Sequence, residues 1–149
     1  MRNSMFKALF LLCFGVFSFA QSSFSNPEPT FEVQRKVVVQ LYYADIKRVN
    51  QTLGMIYNIL KEYPAQTLNV VVVTYGPGMR AIKKDYDKQT LLRIQSLMEY
   101  DVEFIGCRNT MESMHWKDSD FINDVSFVQA GIVELIERQV DGYIAVNSF

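Results

Sequence analysis

Residues 68–78, LNVVVVTYGPG, set four consecutive valines between Asn69 and Thr74 and then close on a Gly-Pro-Gly turn. A strand with one wet face alternates apolar and polar residues. A run that is apolar at every position suits a strand covered on both faces, as in a parallel sheet. A parallel sheet in turn requires a second such strand and a long crossover between the two.

Both lie immediately upstream. Residues 36–42, KVVVQLY, form another β-branched run. Between the two runs, Ile46, Val49, Leu53, Ile56 and Leu60 recur at helical spacing, with Pro64 just beyond the stop. Strand, helix and strand make a right-handed unit, and Asp45 stands where the helix cap belongs.

Downstream the alternation continues. Leu91, Ile94, Leu97 and Met98 mark a helix over Lys88 to Tyr100, and Val102 to Cys107 reads as a third strand. Val125, Val128, Ile132, Leu135 and Ile136 predict one long helix ending near Gln139. Asp141-Gly142 then turns the chain into a last strand, Tyr143 to Val146. The pattern predicts an α/β fold: a three-layer α/β/α sandwich around a mainly parallel, flavodoxin-like sheet of four to five strands. Residues 36–149 form this domain. The chain of 149 residues, 49% hydrophobic and 21% charged, is long enough for one such core.

At the other end, Arg2 and Lys7 precede an apolar run from Ala8 to Phe17, and Ser18-Phe19-Ala20 offers a small-x-small cleavage site. Residues 1–20 therefore read as a cleavable signal peptide. The run is short against the roughly 20 residues that span a bilayer, and Leu12 before Cys13 does not suit a lipoprotein signal. The expected product is periplasmic or secreted and free of the membrane after cleavage. Residues 21–35, polar and carrying Pro27 and Pro29, read as a flexible lead. Two of the 15 basic residues leave with the signal, against 16 acidic ones. No basic patch remains to bind nucleic acid.

Cys13 also leaves, so Cys107 is the single thiol of the exported chain, and no internal disulfide can form. A thiol oxidoreductase is disfavoured because no resolving cysteine is present. One histidine and one cysteine at no ligand spacing predict no metal site, and no motif predicts a cofactor.

In an open parallel sheet, ligands bind outside the carboxyl ends of the strands. Two segments fall there. Gly76, Pro77 and Gly78 form either a tight strand-to-helix turn or an anion-binding loop backed by Arg80, Lys83 and Lys84. The motif is neither a Walker loop nor a dinucleotide fingerprint, and Pro77 removes one amide. After Cys107 and Arg108, the string Asn109-Thr110-Met111-Glu112 reads as a helix cap followed by a Glu, a variant capping box that places the thiol at a helix mouth. Helix amides and Arg108 would lower a thiol pKa below its free value of about 8.5. Cys107 is open to two readings, a nucleophile or a small buried hydrophobe. His115, the only histidine, is either a proton donor to that thiol or a packing residue. Tyr42 and Tyr43 follow the first strand onto the same rim.

The order of these motifs, a strand with GPG, a strand with GCRNTM (106–111), then VQAGI (128–132) and ERQVDGY (137–143), resembles the DsrE/DsrF-like family of sulfur-relay proteins, in particular its exported single-domain members. The resemblance runs from Lys36 to Val146, with the Cys-x-Asn-Thr step its most specific part. It implies a small α/β sandwich that assembles into dimers, trimers or hexamers with the cysteine in subunit-lined clefts, where it carries sulfur as a persulfide. The matching cysteine is Cys107, with Gly76, Pro77, Gly78, Asn109 and Thr110 around it. Relay members act in the cytoplasm, on tRNA thiolation or sulfur oxidation. The export signal departs from that pattern, so those pathways do not carry over.

Two functions follow as expectations. One is a periplasmic sulfur-handling protein in which Cys107 accepts sulfane sulfur from a donor protein and passes it to an acceptor. The other is a non-catalytic oligomeric binding module holding a small anion or metabolite beside the GPG loop.

Overall fold

The computed structural model describes residues 22–147; the signal-peptide reading of residues 1–20 lies outside them. Five strands, β1 (Arg35–Leu41), β2 (Leu68–Thr74), β3 (Glu103–Cys107), β4 (Ser126–Val128) and β5 (Ile144–Asn147), form one sheet in the order β4-β3-β2-β1-β5. Every pairing is parallel, with Val38 opposite Val71 and Ala145, and Ile105 opposite Val73 and Ser126. The valine run at 70–73 is buried throughout because β2 lies at the centre, covered on both faces.

The crossovers β1–α1–β2 and β2–α2–β3 step in one direction across the sheet, so right-handedness puts α1 (Ile46–Glu62) and α2 (Lys88–Glu99) on one face. That face holds the larger core, in which Val37, Val39, Leu41, Val70, Val72 and Phe104 meet Val49, Leu53, Ile56, Ile94 and Leu97. Asp45 and Asp87 cap the two helices by accepting from the amides of Arg48 and Thr90. From β4 the chain returns across the whole sheet to β5 through α4 (Gly131–Val140), which the same rule puts on the opposite face. There Leu135 packs on Val38, Val71, Val73 and Ile105 in a smaller core. The result is a flavodoxin-like three-layer sandwich with unequal outer layers.

The long helix expected from Val125 onward is not formed. Residues 126–128 pair with β3 as the edge strand β4, and the helix begins only at Gly131. The apolar spacing ran across the break because Val125 and Phe127 pack into the core from β4 and its approach, whereas Leu135 does so from α4.

The lead before β1 carries its own contacts. Phe24 packs on Tyr63 with ring centroids 4.7 Å apart, the Arg35 guanidinium donates to the carbonyls of Ser25 and Pro27, and Pro29 is buried. No helix among the described residues is long and apolar enough to cross a membrane.

Candidate functional site

Strand β3 ends on Cys107, and the seven-residue helix α3 (Arg108–Met114) starts at the next residue. Cys107 is therefore itself the helix cap, in extended conformation, and Asn109 lies in the first turn rather than at the cap position expected from the sequence. The side chain is 5% exposed. Its backbone N–H donates to the Met79 sulfur at 3.2 Å, which fixes the end of the strand against the segment after β2.

Two elements close on the thiol. From α4, the Gly131 N–H donates to the Cys107 Sγ at 3.3 Å, and the Gln129 carbonyl lies 3.8 Å from the same sulfur. The space at 131 is tight, because a methyl there would lie 3.0 Å from the Tyr75 Cβ and 3.3 Å from the Cys107 Cβ. From α3, the Thr110 hydroxyl and the Thr110 and Asn109 amides lie near the sulfur without making a capping hydrogen bond to it. Burial pushes the thiol pKa up, but the Thr110 hydroxyl and these amides, with that of Gly131, outweigh it and leave the thiol below its ordinary value.

The GPG turn opens a 3-10 helix over Gly76–Ile82; Lys83 is its cap and Lys84 lies beyond it. Its amides are already used. The Gly76 N–H donates to the Thr110 Oγ1 at 3.0 Å, the Gly78 N–H donates to the Tyr75 carbonyl at 3.1 Å, and Pro77 has none. Gly78 is packed so tightly on the end of β1 that a methyl would lie 2.0 Å from the Leu41 carbonyl oxygen. Of the two readings, the structure takes the tight turn.

Arg108 is directed away from the thiol. Its guanidinium makes a two-pronged pair with Asp118, at 3.1 and 3.2 Å, and lies over the Phe127 ring. His115 is exposed in left-handed conformation at the far end of α3, about 12 Å along the axis from Cys107 at 1.5 Å per residue. Asn109 instead clasps the β4–α4 connection: its N–H donates to the Gln129 carbonyl at 3.0 Å and its Oδ1 accepts from the Gln129 side chain at 2.6 Å. The structure thus gathers Cys107, Thr110, Asn109 and Gly76 and leaves Arg108 and His115 outside.

Gly131, Gln129, Met79 and Tyr75 were not singled out in the sequence as neighbours of the thiol. The one local signal was a glycine inside an apparent helix, which often marks a boundary. Tyr75 carries an aromatic rim with Tyr42, at 5.1 Å between ring centroids, and Tyr43. Its hydroxyl accepts from Gln40, and burial, followed by the neighbouring tyrosines, raises its pKa.

The sequence profile of the DsrE/DsrF-like family matches residues 43–147. The chain belongs to this family. No curated protein matches it significantly. Among solved structures, the fold is shared with a protein of unknown function, MTH1491, from Methanobacterium thermoautotrophicum, at 21% identity and a TM-score of 0.71 over 76% of this chain and 99% of that one. It is shared also with the ychN protein of E. coli, at 13% identity and a TM-score of 0.66 over 78% and 100% of the two chains. At such identities the likeness is one of fold.

Elsewhere, a cavity of about 660 Å³ lies at the opposite end of the sheet among Phe31, Leu60, Tyr63 and Tyr100 and contains no thiol. Among the described residues no group of three or more His, Cys, Asp or Glu side chains could hold a metal ion.

Proposed function

We propose that this DsrE-family protein handles sulfur outside the cytoplasm, with Cys107 as the carrying residue. The observation that carries the reading is the hydrogen-bonded thiol at the carboxyl end of β3, facing the Gly131 N–H at 3.3 Å and the Thr110 hydroxyl. Each of these donors favours an anionic sulfur, so the nucleophile forms without a separate base.

In the acceptor step, the Cys107 thiolate attacks the outer sulfur of a donor persulfide. A new S–S bond forms at Sγ, the donor's S–S bond breaks, and the donor sulfur leaves with the electron pair as a thiolate. In the passing step an acceptor thiolate attacks the outer sulfur and Cys107 departs as the thiolate. Two-electron exchange of this kind needs no external oxidant, and a low-pKa thiol is a good leaving group. The GPG loop has no free glycine amide for an anion, which weighs against the binding-module reading.

The working unit in this proposal is an assembly of identical chains. Ile132, Val133, Ile136 and Val140 of α4 are each at least half exposed, and at 100° per residue they fall within one 100° arc whose centre lies about 110° from the buried Leu135. Such a stripe on a surface helix marks an interaction face. Sedimentation of wild type and Ile136→Glu tests it: an assembly dissociated by the charge is expected, and a monomeric wild type would refute it.

The decisive experiment for sulfur handling is intact mass after incubation with polysulfide. Wild type is expected to gain whole sulfur atoms that mild reduction removes, and Cys107→Ser none. Equal uptake by both would sink the reading.

A further inference from the structure

Sulfur transfer requires the Cys107 sulfur to touch the outer sulfur of a donor, yet the side chain is 5% exposed. Something that covers it has to move. The segment after β2 meets this residue through Met79, whose sulfur accepts the Cys107 N–H, and α3 through its own backbone; Met79 and Met111 of α3 are both buried in the larger core. Displacing either would open that core. The remaining cover is the connection between β4 and α4, where the Gln129 carbonyl lies 3.8 Å from the Sγ. Gln129 and Ala130 belong to neither strand nor helix.

This connection is fastened by hydrogen bonds at the surface. The Asn109 N–H donates to the Gln129 carbonyl at 3.0 Å, and the Gln129 side-chain amide donates to the Asn109 Oδ1 at 2.6 Å and to the Glu112 Oε1 at 3.1 Å. Asn109, Glu112 and Gln129 are all exposed, so each bond exchanges for one to water at small net cost. Segments held in this way open locally while the core stays folded.

We infer that the Gln129-Ala130 connection is the gate of the sulfur site: the clasp of the Gln129 side chain on Asn109 and Glu112 holds it closed over Cys107, and release of the clasp uncovers the sulfur. The inference rests on Cys107 being the sulfur carrier and names what controls access to it. Closed, the gate sets the Gly131 amide against the sulfur and limits its contact with oxidants. Open, it admits a donor or an acceptor.

The test is the rate of iodoacetamide alkylation, followed by intact mass across pH, for wild type and Gln129→Ala. At the alkaline plateau, wild type is expected to react more than tenfold slower than the same protein unfolded in urea, whereas a depressed pKa lowers a thiolate's rate only by about threefold per unit. Gln129→Ala is expected to raise the plateau roughly fivefold and to leave the pH midpoint unmoved, because the Gly131 amide is retained. A wild-type plateau equal to that of the unfolded chain, or a variant no faster than wild type, overturns the inference. Low urea separates local from global opening: the wild-type rate is expected to stay flat, and a rate that rises with the full urea dependence of unfolding refutes the gate. Polysulfide uptake is read separately. Uptake at a rate that Gln129→Ala does not change sinks only the gate, whereas faster alkylation of the variant without any uptake sinks only the carrier reading.

Discussion

The Gly131 amide lies 3.3 Å from the Cys107 sulfur, so the first residue of α4 is part of the environment of a thiol that sits 24 positions earlier in the chain. Replacing Gly131 by Ala leaves the amide in place but sets a methyl 3.0 Å from the Tyr75 Cβ and 3.3 Å from the Cys107 Cβ. Overpacking of this kind costs about 1–3 kcal/mol, partly offset by the better helix propensity of alanine. Urea unfolding is expected to show a net loss of about 1 kcal/mol, and the alkylation rate of Cys107 is expected to fall.

The lowered thiol pKa also predicts how stability changes with pH. The folded value lies below the unfolded one of about 8.5. Stability from the ionised thiol is therefore fully present above about pH 8.5 and is lost as pH falls through the folded value. The stability difference between wild type and Cys107→Ala, measured by denaturant unfolding, should increase with rising pH and level off near 8.5. A difference that is constant with pH would contradict the shift.

The two glycines of the turn should respond differently. At Gly78 a methyl meets the Leu41 carbonyl oxygen at 2.0 Å, against backbone that cannot swing aside. Gly78→Ala is expected to cost about 3 kcal/mol or more, in the range of severe core disruption. Gly76 has φ +52°, and its methyl would meet the half-exposed Tyr42 ring, which can move. Gly76→Ala should cost about 1–2 kcal/mol, mainly for the left-handed backbone. Thermal unfolding of the pair distinguishes the two mechanisms.

Arg108 lies next to the thiol in sequence but is committed to Asp118. Arg108→Gln should leave the pH midpoint of Cys107 alkylation unmoved while raising the depressed pKa of Asp118, which NMR titration of its carboxyl can follow. A rise in the thiol midpoint would show that the guanidinium reaches the sulfur in solution.

The sheet was legible in the sequence wherever burial fixed the pattern. Val70 to Val73 could only belong to a doubly covered strand, and Asp45 marked the start of α1. Strand β4 was hidden because three residues on a sheet edge carry almost no period of their own, and Val125, Val128, Ile132 and Leu135 matched helical spacing across two different elements. At the site, local sequence placed Cys107 at a helix mouth. It could not show that the Gly131 amide returns to it past the neighbouring edge strand β4, nor that Arg108 turns outward to Asp118. Both depend on which elements meet in three dimensions, and adjacency in sequence misled in the second case.

The crossover through α4 also sets an order of events. Strand β5 pairs with β1, Val37 opposite Ile144, and α4 is held between β4 and that pairing. The Gly131 amide and the Gln129 clasp on Asn109 are held by the pairing of β4 with β3, Cys107 opposite Val128, and by the packing of Leu135 of α4 on the sheet. In the unfolded chain the thiol has neither contact and is an ordinary cysteine. Its environment is complete only once β4 has paired and α4 has docked, so the finished fold is itself the safety catch on the thiol.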